Sequence, residues 1–124
     1  MSMDPINLYD YEDRAKLTLS HNDWDTIDAG AMDMFTTRRN RSAFEALTLR
    51  PRFLRDIENR DISTTMLGDK ISMPVFICPA GSHMKAHPEG EQATARGAGM
   101  SDTLMMLSTS SNCSMEEVAD AARG

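Results

Sequence analysis

The stretch Met73-Pro74-Val75-Phe76-Ile77-Cys78-Pro79-Ala80-Gly81 decides the fold class predicted for this chain. Residues 73–78 form a short, continuous apolar run that ends at proline and glycine, which is typical of a parallel strand buried on both faces. A second run of this kind covers residues 104–107, and the segment between them, residues 88–100, has helical character. Strand, helix and strand in this order predict a right-handed βαβ unit.

The same order continues toward the C-terminus. Ser114 is a suitable N-cap for a further helix, with Glu116 and Glu117 in its first turn. The second half of the chain therefore predicts strand, loop, helix, strand, loop and helix, at about 30 residues per repeat. Two buried strands cannot cover their own faces and edges, so we expect an α/β fold that is incomplete within this chain.

Upstream of residue 73 the pattern predicts helices and one hairpin. The three helices are expected at about residues 8–19, 23–28 and 33–46. Residues 64–67 and 70–72 predict two short strands joined by a tight turn at Gly68-Asp69. We therefore predict a helical segment over residues 1–62, followed by the hairpin and two βα units over residues 63–124.

Composition and charge disfavour several classes of function. Apolar residues make up 40% and charged residues 26% of the 124 residues, as in a soluble globular protein. The net charge of −6 argues against a nucleic-acid surface, and no apolar run approaches the roughly 20 residues of a membrane span. Because no signal peptide is evident, Cys78 and Cys113 are expected to be reduced thiols of a cytoplasmic protein.

A series of short motifs runs through most of the chain in a fixed order. In the second half the motifs are Ile71-Ser72-Met73-Pro74, Pro79-Ala80-Gly81, Ala86-His87-Pro88-Glu89-Gly90-Glu91, Ala93-Thr94-Ala95-Arg96 and Leu107-Ser108-Thr109-Ser110-Ser111-Asn112. Upstream they are Gly30-Ala31, Asn40-Arg41, Ala43-Phe44 and Arg50-Pro51-Arg52. Together they resemble the FMN-dependent 2-hydroxy-acid oxidoreductases, the family of glycolate oxidase, lactate oxidase and mandelate dehydrogenase.

This resemblance implies a fold, a cofactor and a reaction. The family fold is a TIM (β/α)8 barrel, preceded by an N-terminal helical segment and a hairpin that closes the bottom of the barrel. The chain would supply only the first two strand–helix units, so roughly 180 residues of a complete barrel would be missing. The cofactor implied is FMN, and the reaction is oxidation of an L-2-hydroxy acid to the 2-oxo acid, with the flavin reoxidised by oxygen or another acceptor.

The resemblance also assigns binding residues. Active sites of TIM barrels lie at the C-terminal ends of the strands, where Pro79, Ala80, Gly81 and Ser108 are expected. In the family, the main chain at the first three positions and a serine at the fourth hold FMN. Small residues there let the flavin ring approach the backbone closely. The alternative is a small-residue turn and a strand-end serine that bind no ligand.

Two further positions are assigned to the substrate, a small-molecule 2-hydroxy acid. Thr26 stands where many members carry a tyrosine that binds the substrate carboxylate. Threonine lacks that reach, so either another residue binds the carboxylate or substrate binding is altered. Ser110 stands where glycolate oxidase has a bulky aromatic side chain and mandelate-type members have a small one. A small residue leaves room for a larger substrate, which favours an aryl or longer 2-hydroxy acid.

No catalytic residue is expected in this chain. The family's histidine base, its carboxylate-binding arginines and the lysine beside the flavin all lie in later strands, so the chain alone is expected to be inactive. A metal site at His83 and His87 is disfavoured, because Pro88 places them in a loop and no third ligand is evident.

An alternative function is a non-catalytic interaction or assembly module descended from a truncated barrel. Its exposed strand edges would pair with a partner chain or with a second copy. A homo-oligomer is also compatible with the preferred function, since tetramers are common in the family.

Overall fold

The computed structural model describes residues 4–123, which divide into two compact units. The N-terminal unit ends at Asn59 and the C-terminal unit begins at Arg60, a few residues before the predicted boundary. Between residues 4 and 123, no helix has both the length and the apolar character that a membrane span requires.

Three helices make up the N-terminal unit: α1 (Leu8–Thr18), α2 (His21–Asp28) and α3 (Phe35–Glu45). Asn7 caps α1, because its side-chain oxygen accepts the backbone N–H groups of Tyr9 and Asp10 at 2.8 and 3.1 Å. Ser20 caps α2 by accepting the N–H of Asp23 at 3.1 Å. None of the described residues of this unit is buried. The helices are held by local hydrogen bonds and caps, and by an exposed ion pair between Arg41 of α3 and Glu12 of α1 at 2.9 Å.

The C-terminal unit begins with the predicted hairpin. Strand β1 (Thr64–Met66) pairs antiparallel with β2 (Asp69–Ile71). The turn is Leu67-Gly68, one residue earlier than predicted, and the two residues have φ values of 54° and 98°. Positive φ at both central positions is the geometry of a type I′ turn, which matches the twist of the flanking strands.

Two helices and one short 3₁₀ turn complete the C-terminal unit: the turn at His83–Lys85, α4 (Gly90–Met100) and α5 (Met115–Arg123). Ser114 caps α5 as predicted. The N–H of Glu117 donates to Ser114 Oγ at 3.3 Å, and the N–H of Ser114 donates to Glu117 Oε2 at 2.8 Å, which is a capping box. The small core of the unit contains Ala95, Cys113 and Val118.

The two predicted parallel strands are only partly formed. Residues 73–78 and 104–107 meet in one parallel bridge between Ile77 and Met105. The N–H of Ile77 donates to the carbonyl of Leu104, and the N–H of Met106 donates to the carbonyl of Ile77, both at 2.9 Å. The parallel direction is confirmed. The prediction of continuous strands that are buried on both faces is wrong, since the pairing is a single bridge and Val75 is 62% exposed.

The reason for this difference is the lack of neighbouring strands. Within residues 4–123 neither apolar run has a second strand beside it, so each has hydrogen-bonding partners on one edge only. Pro74 also has no N–H to donate at the start of the first run. The C-terminal unit is therefore a mixed assembly of helices and strands. Within it, the ladder pairing of the two runs is limited to the bridge between Ile77 and Met105.

Candidate functional site

The loops that follow the two bridged runs lie beside each other. We call residues 79–87 the first loop and residues 108–113 the second loop. The N–H of Ser82 donates to the carbonyl of Ser110 at 3.1 Å, and the N–H of Met84 donates to Asn112 Oδ1 at 3.2 Å. A Cβ added to Gly81 would lie 2.6 Å from Ser110 Cβ and 2.8 Å from its carbonyl oxygen. Only glycine therefore permits this approach without a shift of one loop.

A buried carboxylate contacts both loops. Glu91, in the first turn of α4, has 0% of its surface exposed. Its Oε1 atom accepts the N–H of His83 in the first loop and the N–H of Asn112 in the second loop, both at 3.2 Å. The Oε2 atom is buried and has no hydrogen-bond partner among residues 4–123. One side chain thus binds the two loops through a single oxygen atom.

The surroundings of Glu91 lower the pKa of its carboxyl group below the ordinary value. Burial is the largest single influence and raises the pKa, because it penalises the charged form. Hydrogen bonds from the backbone N–H groups of His83, Glu91 itself and Asn112, and from the thiol of Cys113, act in the opposite direction and together outweigh burial. Glu91 is therefore an ionised carboxylate at neutral pH.

From the sequence alone, Glu91 receives no role of its own beyond its place in the motif of residues 86–91. A signal was present in the spacing. Glu91, Ala95 and Ala98 lie at positions i, i+4 and i+7, so they share one face of α4, and all three are buried. A carboxylate on the buried face of a helix needs hydrogen-bond donors, and the two loops supply them.

The four residues predicted to bind FMN lie at the same edge of the C-terminal unit. Pro79, Ala80 and Gly81 are exposed, and Ser108 is half-buried. Within residues 4–123, the backbone N–H groups of Ala80 and Gly81 donate to no other residue. Ser108 Oγ accepts the N–H of Ser110 at 3.1 Å, which leaves its hydroxyl proton for another acceptor. Accessible donors beside small side chains fit the polar edge of a planar ligand such as a flavin.

The two predicted substrate residues belong to different units. Thr26 lies in α2, is exposed, and donates its hydroxyl proton to the carbonyl of Asn22 at 2.8 Å. Ser110 is exposed in the second loop, next to Gly81. Their role in substrate binding stays a prediction.

The two histidines of the first loop make local hydrogen bonds. His83 Nδ1 lies 3.0 Å from Thr94 Oγ1, and His87 Nδ1 accepts the N–H of Glu89 at 3.3 Å. In the part of the chain that the structure describes, no three His, Cys, Asp or Glu side chains gather as a metal site. Cys78 and Cys113 are both free thiols.

Comparison with known proteins identifies the family. The profile of the family described as FMN-dependent dehydrogenase matches residues 15–124. Glycolate oxidase of Spinacia oleracea is 45% identical over 122 residues, which are 98% of this chain and 33% of that enzyme. The chain therefore spans about a third of the length of this relative.

Solved structures agree with this result. The flavin-binding domain of baker's yeast flavocytochrome b2 superposes with a TM-score of 0.90 at 36% identity, covering 97% of this chain and 31% of that chain. A soluble mutant of the membrane-associated (S)-mandelate dehydrogenase from Pseudomonas putida gives a TM-score of 0.87 at 32% identity, covering 94% of this chain and 34% of that chain. The chain belongs to the FMN-dependent dehydrogenase family, whose cofactor is FMN.

Proposed function

We propose that residues 60–123 form the bottom-closing hairpin and the first two βα units of a flavin-binding TIM barrel, with the helical N-terminal unit preceding it in the sequence. The whole protein that carries this chain would oxidise an L-2-hydroxy acid to the 2-oxo acid and pass the electrons to oxygen or another acceptor. The observation that carries this proposal is the contact between the first and second loops at the ends of two parallel runs. In a TIM barrel, that end of the strands bears the active site.

The residues of the site would act through position rather than through chemistry of their own. FMN, when bound, would be the acceptor of the two electrons removed from the substrate. The free N–H groups of Ala80 and Gly81 would donate to the ring edge, while Pro79 and Ala80 keep side-chain bulk away from it. Ser108 would donate its hydroxyl proton to the cofactor.

The substrate is proposed from the size of one residue. Ser110 is exposed beside Gly81 and presents only a hydroxymethyl group. A site with this residue has room for an aryl or longer 2-hydroxy acid. The catalytic base, the arginines and the lysine are proposed to lie outside this chain, so residues 1–124 alone are expected to be inactive. A cytoplasmic location and a homo-oligomer stay predictions.

A spectrophotometric titration tests the proposal. The whole protein should purify with a flavin absorbance band or acquire one on addition of FMN. Ser108→Ala should raise the dissociation constant of FMN roughly tenfold, the effect of losing one hydrogen bond of about 1.4 kcal/mol. Thr109→Ala is the matched control, because Thr109 is the exposed neighbour in the same loop and should leave FMN affinity unchanged. A folded protein that takes up no FMN would refute the proposal.

An assembly module is the second candidate, and the unpaired edges of residues 73–78 and 104–107 favour it. If this function is correct, the purified chain should form dimers or larger complexes on size-exclusion chromatography without flavin. A colourless, compact monomer would contradict it.

A further inference from the structure

We propose that Glu91 is a positioning residue, whose buried carboxylate fixes the distance between the first loop and the second loop at the flavin-facing edge. The inference rests on the proposed function, because it assigns Glu91 a role in that same site. It concerns a residue that contacts both loops but does not itself lie on the exposed edge.

The first argument is geometric. His83 and Asn112 belong to different loops, and their N–H groups donate to the same oxygen atom of Glu91 at 3.2 Å each. The two backbone nitrogens therefore cannot separate by more than twice that distance while both bonds persist. Because Glu91 extends from the first turn of α4, the anchor that holds both loops is a helix rather than another loop.

The second argument concerns the position of the two bonds in the sequence. His83 lies two residues after Gly81, and Asn112 lies two residues after Ser110. Gly81 and Ser110 are the pair whose close approach joins the loops. The carboxylate thus binds each loop two residues after the contact between Gly81 and Ser110. Loss of either hydrogen bond would allow these two residues to move apart. The free N–H groups of Ala80 and Gly81 would then lose their fixed direction.

The third argument is energetic. A carboxylate with no exposed surface is costly to bury, and here the hydrogen bonds that offset the cost come mainly from loop N–H groups. The other residues on the same face of α4, Ala95 and Ala98, are small and apolar. Packing of the core alone would be served by an apolar side chain at position 91, but such a side chain would leave two loop N–H groups without an acceptor.

Substitutions at position 91 separate this role from a general effect of charge. Glu91→Gln retains an oxygen that can accept both N–H groups, although a neutral acceptor binds them less strongly. Glu91→Asp keeps the charge but is one methylene shorter, so it cannot reach both loops. Glu91→Ala removes the acceptor. The exposed Glu116 of α5 offers the matched controls Glu116→Gln and Glu116→Ala.

The test uses the whole protein loaded with FMN. Glu91→Ala and Glu91→Asp should raise the dissociation constant of FMN by roughly tenfold or more, and Glu91→Gln by less. At saturating FMN, the visible absorption spectrum of the bound flavin should change in the Ala and Asp variants. A residue that only stabilises the fold would leave this spectrum unaltered. Hydrogen exchange at the His83 and Asn112 amides should accelerate in the same order, and both Glu116 variants should match the wild type.

The outcomes separate the two proposals. Suppose that the wild type binds FMN and that Glu91→Ala and Glu91→Asp bind it with the same affinity and the same flavin spectrum as the wild type. The positioning role is then overturned and the proposed function stands. If Asp restores binding while Gln does not, charge rather than reach is decisive, and the positioning role is again overturned. If Glu91→Ala and Glu91→Asp do not fold, the test rests on Glu91→Gln. The positioning role then requires that this variant folds, that its bound flavin has a changed spectrum, and that the His83 and Asn112 amides exchange faster than in the wild type. Wild-type protein without FMN affinity would remove both proposals.

Discussion

The two units of the chain are built in different ways. The N-terminal unit, residues 4–59, has three helices, of which α1 and α2 begin with side-chain caps, and it has no buried residue. The C-terminal unit, residues 60–123, has a short hairpin and two helices, and it buries Ile71 and Ala95 to 2% and 1% exposure, together with the charged Glu91. The helices of the N-terminal unit thus rest on caps, local hydrogen bonds and exposed contacts, whereas contacts between distant residues bring the first and second loops together in the C-terminal unit.

The comparison predicts that a buried charge disrupts only the C-terminal unit. Ala95→Asp places a carboxylate in the core beside Cys113 and Val118, and it should reduce the free energy of unfolding of that unit by about 3 kcal/mol or more. Ala43→Asp, in the exposed face of α3, should change stability by less than about 1 kcal/mol. Urea unfolding followed by circular dichroism measures both. Equal losses would show that the two units do not differ in burial.

Acid should affect the C-terminal unit through Glu91. Since the pKa of Glu91 is lower in the folded state than its ordinary 4.5, its ionised form stabilises the fold at pH values above 4.5. This contribution is lost as the pH falls through the lowered pKa. Glu91→Gln should flatten the decline in the free energy of unfolding that occurs as the pH falls below 4.5.

The same measurement has an internal control. Asp61 and Glu117 also have lowered pKa values, caused first by hydrogen bonds from Ser63 and Ser114, and they remain in the Glu91→Gln variant. Glu116→Gln should retain the wild-type slope. An identical slope in wild type and Glu91→Gln would show that the buried carboxylate contributes nothing to acid sensitivity.

A methyl group added to a glycine should be less tolerated in the C-terminal unit. Gly81→Ala would meet the Ser110 carbonyl at 2.8 Å, which is backbone, so one loop must move. We expect a loss of about 1–3 kcal/mol and weaker FMN binding. Gly30→Ala in the N-terminal unit would meet the Thr37 hydroxyl, which can rotate, and Thr37 Cβ at 3.1 Å, which needs only a small shift, so a smaller loss is expected. Thermal unfolding of the two variants compares them, and a larger loss for Gly30→Ala would contradict this ranking.

The smallest predicted effect concerns a helix cap of the N-terminal unit. Asn7→Ala removes the acceptor for the N–H groups of Tyr9 and Asp10 and should cost about 1 kcal/mol, limited to α1. Hydrogen exchange at these two amides measures the effect. Asn22→Ala, inside α2, is the control and should not accelerate exchange in α1. Unchanged exchange at the Tyr9 and Asp10 amides would show that Asn7 does not stabilise the first turn of α1.

The sequence predicted local features and the order of elements better than the buried contacts. The cap at Ser114 and the parallel direction of the two runs are confirmed, because they depend on short-range hydrogen bonding or on strand order. The turn lies at Leu67-Gly68, one residue before the predicted position. Leucine rarely adopts a positive φ, so the sequence did not indicate a turn residue at position 67. The role of Glu91 was missed, because its two donors lie 8 and 21 residues away.

The contrast between the two cysteines has a practical consequence. Cys78 is exposed directly before Pro79 and Ala80, whereas Cys113 is 8% exposed in the core. A thiol-directed reagent should therefore react first at Cys78, since reaction at Cys113 requires local opening of the core. A fluorescent or spin label could thus be attached next to the proposed cofactor edge without any engineered residue, and its signal would report on whatever occupies that edge.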